Sequence, residues 1–124
     1  MKTRQVNNMK KEKFVKVMKN GFEDMHVEFD EGYKETVFGF EEDGTGYEYD
    51  VYYSKTTNTK YKWQATEGST GLLICHGKTQ ADCADMVMRK LDTMHRILSY
   101  INISANMANM LDKAKELVKN AKIQ

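Results

Sequence analysis

The spacing of apolar residues changes twice along this chain. Residues 10–24 place Phe14 and Val17 at helical spacing, which predicts a short N-terminal helix that ends near Gly21. From His26 onward, apolar and polar residues alternate, as they do in half-buried β-strands. The helical spacing returns in the last part of the chain, so we expect helices there.

The segment 79–101 predicts the longest helix, because no proline or glycine interrupts it. Thr79 can act as its N-cap, and Asp82 suits the positive end of the helix dipole. One side of the helix carries an apolar stripe that includes a histidine: Ala84, Val87, Met88, Leu91, His95 and Leu98. We expect this stripe to pack on a sheet. Ser104 can cap a second helix over residues 105–121.

Turn signals divide the alternating region into strands. Glu31-Gly32 predicts a tight turn, and Asp43-Gly44 predicts a two-residue hairpin of type I′. The register of that hairpin puts the large apolar residues on one face beneath the long helix: Phe38, Phe40, Tyr47, Tyr49, Val51, Tyr53, Tyr61 and Trp63. Glu48 and Asp50 then point to water from the other face.

Together these elements predict an α+β fold. It comprises a short N-terminal helix, an antiparallel four- or five-stranded β-meander packed by a long helix, and a C-terminal helix. The length of 124 residues favours a single domain over 1–124, with 1–9 as a flexible tail. The C-terminal helix either extends the core or forms a homodimer by helix packing.

Charge is distributed unevenly, although the net charge is only +1. Residues 1–20 carry seven basic and one acidic side chain, whereas residues 21–50 carry eleven acidic and one basic. An acidic block next to a basic arm indicates partners of opposite charge and says little about the fold.

Composition also restricts the cellular setting. Two cysteines, Cys75 and Cys83, give no disulfide framework and suit a reducing compartment. The chain has no apolar run long enough to cross a membrane, and its basic N-terminus is not followed by the apolar stretch of a secretory signal. We therefore expect a cytoplasmic protein that does not contact a membrane.

The acidic block suggests our first functional hypothesis, a non-catalytic binding or inhibitor protein. Its acidic hairpin surface would dock on a basic partner protein, such as one that handles nucleic acid. Small inhibitors made by phages and other mobile elements act in this way. The residues expected to bind the partner are Glu28, Asp30, Glu41, Glu42, Asp43, Glu48 and Asp50.

Two alternatives use other residues. The predicted N-terminal helix would bind nucleic acid through Lys10, Lys11, Lys13 and Lys16. A small-ligand or nucleotide-binding protein would instead use Gly77, Lys78 and Thr79 at the start of the long helix, together with His95. The sequence from Gly71 to Thr79 misses the spacing of a phosphate-binding P-loop by one residue.

Catalytic and metal chemistry have weaker support in the sequence. Cys75, His76, Cys83 and His95 do not follow the spacing of a known zinc site, so we expect no metal. No nucleophile stands beside a recognisable base, and no cofactor motif is present. We therefore expect a protein that is not an enzyme and has no cofactor.

Overall fold

The structure, a computed structural model, describes residues 3–20 and 24–123, with side chains for residues 11–20 and 24–122. Seven elements follow one another along the chain: β1 (Thr3–Lys19), β2 (Met25–Phe40), β3 (Gly46–Lys55), β4 (Trp63–Glu67), β5 (Leu73–Gly77), α1 (Gln80–Leu98) and α2 (Ala105–Ile123). The five strands form one antiparallel sheet in the order β1-β2-β3-β4-β5. The predicted α+β class with an antiparallel meander and two C-terminal helices is therefore confirmed.

Both helices lie on the same face of this sheet. α1 buries Cys83, Ala84, Val87 and Leu91 against an apolar cluster on the central and last strands, formed by Val37, Val51, Tyr53, Ala65 and Cys75. α2 buries Ala114, Val118 and Ala121 against Val15 and Val17 of β1 and Met25 of β2. The apolar core is thus divided between the two helices, and each helix covers a different part of the sheet.

Both helices begin at the caps that the sequence predicts. Thr79 has extended backbone dihedrals, and its hydroxyl accepts a hydrogen bond from the Asp82 backbone N–H. The hydroxyl of Ser104 accepts from the Met107 backbone N–H at 3.1 Å. Each cap satisfies a backbone donor that has no partner inside its own helix. Of the described helices, none is long and apolar enough to span a bilayer.

The prediction of a helix over residues 10–24 is wrong, because residues 10–19 belong to β1. Phe14 is buried on one face of this strand, and Val15 and Val17 are buried on the other. Burial on both faces removes the alternation that identifies a strand, and the remaining spacing resembles a helix. The strand also contains residues 3–9, for which composition predicts a tail; residues 21–23 lie outside the described part.

The turn expected at Glu31-Gly32 is also absent, since both residues lie within β2. Gly32 is needed there for a different reason. A Cβ atom built at Gly32 would lie 2.5 Å from the backbone oxygen of Tyr53 and 3.0 Å from the Phe14 ring. Because Gly32 has no side chain, β1 and β3 can approach β2 closely at this position. β2 therefore continues through Gly32 as one long strand.

The hairpin between β2 and β3 has a three-residue loop where the sequence predicts a two-residue turn. The Glu41 N–H donates to the Thr45 carbonyl, and Gly44 alone adopts a positive φ, of 89°. The extra residue shifts the register by one position, so Phe40 pairs with Gly46 and Phe38 with Glu48. Phe38 and Phe40 therefore point away from the helices, contrary to the prediction.

The rest of the aromatic face follows the prediction more closely. Tyr47, Tyr49, Tyr53 and Trp63 lie on the side covered by α1. Glu48 and Asp50 lie on the opposite face, where Asp50 accepts a hydrogen bond from Thr36 and pairs with Lys34 at 3.7 Å. The prediction for Tyr61 is wrong, because this residue lies in the loop before β4 and its side chain is 37% exposed.

The sheet curves, so its two edges approach each other at one corner. The Val17 N–H of β1 donates to the Gly71 carbonyl in the β4–β5 turn at 2.7 Å. On the face without helices, the rings of Phe14 and Tyr52 stack with centroids 4.7 Å apart. This face is therefore partly buried near β1, where the sequence predicts a fully solvated surface.

Candidate nucleic-acid interface

The two helices leave a band of the sheet open between them. On β2, Met25 and Val27 pack in the α2 cluster, and Val37 packs in the α1 cluster. Phe29, Glu31 and Tyr33 lie between these positions on the same face, because side chains alternate along a strand. Phe29 is 63% exposed, which is unusual for a phenylalanine.

Strand pairing brings basic residues and a second aromatic ring beside this band. Lys11 lies opposite Tyr33 on β1, and Lys55 lies opposite Trp63 across β3 and β4. The Lys11 Nζ is 6.0 Å from the centroid of the Tyr33 ring, and the Lys55 Nζ is 5.7 Å from that of Trp63. The Tyr33 and Trp63 rings are 6.3 Å apart and tilted by 36°.

These side chains surround an open cavity of about 810 Å³, which we call the aromatic–lysine pocket. Its lining includes Phe29, Tyr33, Trp63, Lys11, Lys13 and Lys55. Asp30 and Glu31 also line it. Asp30 pairs with Lys16 at 3.0 Å, which neutralises part of this negative charge. The pocket therefore combines one exposed ring, Phe29, and two half-buried rings, Tyr33 and Trp63, with an excess of positive charge.

A second polar cluster joins the β2–β3 hairpin to α1 around His95. The Tyr49 hydroxyl lies 2.6 Å from Nδ1 of His95, and the Glu41 carboxylate lies 2.8 Å from Nε2. The Tyr47 ring stacks on the imidazole at 3.7 Å. Burial, followed by the hydrogen bond to Asp92, raises the pKa of Tyr47 to about 12. Through these contacts the cluster holds the hairpin against the helix.

The acidic residues of the first hypothesis do not form one cluster. Glu48 and Asp50 lie on β3, opposite Phe38 and Thr36, and the other five form two groups. Glu28 and Asp30 lie near one end of β2, and Glu41, Glu42 and Asp43 follow its other end, roughly 40 Å away along the strand. Several of them already have internal contacts. Asp43 accepts a hydrogen bond from the Thr45 N–H, which lowers the pKa of its carboxyl group.

The residues of the ligand-binding alternative are not brought together. Gly77 and Thr79 lie at the start of α1, whereas His95 lies roughly 24 Å away near its end. A Cβ at Gly77 would lie 2.9 Å from both the backbone nitrogen and the sulfur of Cys83. Gly77 thus allows β5 to pack closely on the helix. Lys78 is exposed beside it.

The lysines of the nucleic-acid alternative lie on a strand, so their arrangement differs from the predicted helical one. Lys11 and Lys13 share the face that bears the aromatic–lysine pocket, and Lys16 lies on the other face with Asp30. The side chain of Lys10 lies outside the described part of the chain.

The cysteines are buried structural thiols. Cys75 Sγ lies 3.7 Å from the Cys83 carbonyl. Burial is the main cause that raises the pKa of the Cys83 thiol to about 12, with Cys75 adding to it. Within the described ranges, no three histidine, cysteine or acidic side chains are placed to hold a metal ion.

Sequence reasoning missed Phe29, Tyr33 and Lys55 as site residues. The alternation of Phe29, Glu31 and Tyr33 in the sequence indicates a strand, because it has the same two-residue period as the residues that follow in β2. The turn predicted at Glu31-Gly32 hides this signal, because it divides β2 at these two residues. Trp63 lies on the predicted face, and its half-buried ring both packs against the α1 cluster and lines the pocket.

Comparisons with protein-family models, curated proteins and solved structures give no match for this chain.

Proposed function

We propose that this protein binds single-stranded nucleic acid in the aromatic–lysine pocket, without catalysis. The observation that carries the proposal is the convergence of five side chains around one open pocket: Phe29, Tyr33, Trp63, Lys11 and Lys55. The β2 residues Phe29 and Tyr33 belong to neither helix cluster, and Trp63 lies where the α1 cluster ends. This placement favours the nucleic-acid alternative from the sequence, with a strand surface in place of the predicted helix.

The chemistry of the pocket suits both parts of a nucleotide. Exposed aromatic rings stack on bases of any sequence, and lysines bind the phosphates between them. A cavity of about 810 Å³ has the size of a typical small-ligand or nucleotide site. Stacking on a ring does not require particular hydrogen bonds to a base, so we expect little preference for the nucleotide sequence.

Single strands fit this surface better than duplexes do. In a duplex, the bases are stacked on each other and cannot reach rings inside a pocket. A single strand can turn its bases toward Tyr33 and Trp63 while its backbone follows Lys11, Lys13 and Lys55. We expect a duplex to contact only the lysines, and so to bind more weakly.

Fluorescence anisotropy with labelled oligothymidine and a matched duplex at low salt tests the proposal. Tyr33→Ala should weaken single-strand binding about tenfold, because one stacked base is lost, whereas Tyr33→Phe should bind as the native chain does. Lys55→Ala should also weaken binding, and the exposed Lys119 on α2 provides the matched control Lys119→Ala. Equal affinities of Lys55→Ala and Lys119→Ala, or no binding at all, would contradict the proposal.

As a second candidate function, we propose that the hairpin tip docks on a basic partner protein. The supporting observation is a fixed acidic loop: Glu41, Glu42 and Asp43 are exposed, and the contacts of Glu41 with His95 and of Asp43 with Thr45 hold it in place. Charges fixed before binding cost less entropy on docking.

Charge reversal separates this second candidate from the first. In a cross-linking and pull-down experiment, Glu42→Lys with Asp43→Lys should abolish capture of a protein partner and leave oligonucleotide binding intact. Unchanged capture by this double variant would remove the docking function.

A further inference from the structure

A second, larger groove lies on a different side of the molecule, between α1, α2, the end of β1 and the β4–β5 region. Its volume is about 920 Å³, and it shares no residue with the aromatic–lysine pocket. Apolar side chains from both helices and the β4–β5 region form its floor: Leu72, Leu73, Ile74, Met94, Ile97 and Met110. We call it the interhelical groove.

The apolar lining of this groove is partly open to solvent. Leu73 is 50% exposed and Met18 is 39% exposed, although both side chains are large and apolar. Met94, Met107 and Met110 also line the groove. Methionine side chains are flexible and polarisable, so a surface rich in them can adapt to an apolar partner.

The rim of the groove is cationic. Lys19, Arg89 and Lys90 line it, and the Lys19 Nζ lies 3.4 Å from the Met110 sulfur at the groove floor. The acidic lining residue is Glu67, which is 3% exposed. Its carboxylate accepts hydrogen bonds from the backbone N–H groups of Ser69 and Thr70 and from the Ser69 hydroxyl. The Glu67 carboxylate is therefore used by hydrogen bonds within the β4–β5 turn, and the rim of the groove keeps its positive charge.

We propose that the interhelical groove binds an amphipathic helix of a partner protein, with an apolar stripe on the groove floor and acidic residues against the rim. An apolar floor between helices is the usual receptor surface for such a helix. The positive rim favours a helix with acidic flanks, because these would lie against Lys19, Arg89 and Lys90.

Two other occupants fit the groove less well. A single acyl chain needs most of its surface enclosed, whereas Leu73 on this floor is half exposed. A second copy of this chain would offer α2, which carries four lysines and two acidic residues and would meet the cationic rim with like charge. An acidic helix from another protein satisfies both the apolar floor and the positive rim.

A synthetic peptide tests this site directly. The probe is a fluorescein-labelled helix with a leucine stripe and glutamates on its remaining faces, and its control has the same composition in an order that breaks the stripe. Anisotropy titration of the full chain should give saturable binding of the striped peptide and no saturable binding of the scrambled one. Equal binding of the two peptides would overturn the proposal.

Variants locate the binding on the groove. Leu73→Asp, and separately Arg89→Glu with Lys90→Glu, should each weaken peptide binding about tenfold. The control Lys78→Glu with Lys113→Glu makes the same charge change at exposed sites outside the groove and should bind normally. Equal affinities of the groove and control variants would overturn the proposal.

Two further outcomes identify a different occupant. Displacement of the striped peptide by oleate would show that the groove is an acyl-chain site. Sedimentation that shows a dimer converted to a monomer by Leu73→Asp would assign the groove to a second copy. Since the two lining sets are separate, the peptide and oligonucleotide experiments succeed or fail independently.

Discussion

The imidazole of His95 receives contacts from three side chains that the chain brings from far away. Tyr47 stacks on it, Tyr49 lies 2.6 Å from Nδ1, and Glu41 lies 2.8 Å from Nε2. The helical spacing of the apolar residues correctly placed His95 toward the sheet. Its partners were not predictable, because they depend on a hairpin register that a one-residue loop change alters.

Replacement of His95 should destabilise the fold through these lost contacts. Its side chain is only 12% exposed, so His95→Ala removes a stacked ring and two hydrogen-bond partners. We expect the free energy of unfolding to fall by about 2 kcal/mol in urea denaturation. His76→Ala, at an exposed histidine on β5, is the control and should cost less than about 0.5 kcal/mol. A cost for His95→Ala as small as that of the control would contradict the role of this cluster.

The thiol of Cys83 should make the folded chain less stable as the pH becomes alkaline. Its pKa is raised from 9.0 to about 12 in the folded chain, chiefly by burial. Below pH 9.0, the ordinary pKa of the thiol, Cys83 is protonated in both the folded and the unfolded chain, so it causes no loss of stability there. Between these two pKa values the unfolded chain loses the proton first, and the free energy of unfolding falls. Denaturation at a series of pH values should show a shallower fall for Cys83→Ala; parallel curves would contradict the raised pKa.

At the scale of elements, the two helices were predictable and the first two strands were not. Each helix has a polar cap and a one-sided apolar stripe, which are local signals. β1 is buried on both faces near Phe14 and Val15, so its spacing loses the strand period. β2 contains Gly32 at a close approach between strands, where local rules predict a turn.

Gly32 therefore provides a test of the long β2 strand. Gly32→Ala should lower the free energy of unfolding by about 1–3 kcal/mol, since the new Cβ would lie 2.5 Å from the Tyr53 backbone oxygen. At Gly46, on the neighbouring strand, a Cβ would meet the Phe40 ring at an ordinary 3.5 Å. Gly46→Ala should be neutral or slightly stabilising. Similar effects at both glycines in urea denaturation would contradict the close approach.

At the scale of the whole molecule, the proposed function depends on which parts of the sheet the helices leave open. The sequence predicted that a helix covers an aromatic face, and α1 does cover Tyr47, Tyr49 and Tyr53. It did not reveal that α2 covers a separate part of the same face. The open band at Phe29 and Tyr33 results from this division, so it follows from tertiary packing and not from local pattern.

The charge of the open band predicts how salt affects binding. If Lys11, Lys13 and Lys55 each neutralise one phosphate of a single strand, the logarithm of the association constant should fall with the logarithm of salt concentration with a slope of about −2. Lys55→Ala should reduce the slope to about −1.4, and Lys119→Ala should leave it unchanged. Anisotropy titrations at several salt concentrations measure these slopes; binding insensitive to salt would exclude phosphate contacts by these lysines.

The most direct test uses Trp63, the single tryptophan of the chain, which lies in the pocket itself. If bases stack in the aromatic–lysine pocket, titration with oligothymidine should quench the Trp63 emission in a saturable way, and a matched duplex should quench it much less. Tyr33→Ala should shift this titration to higher oligonucleotide concentration. Emission that stays constant while anisotropy reports binding would place nucleic acid elsewhere on the molecule and contradict the proposed site.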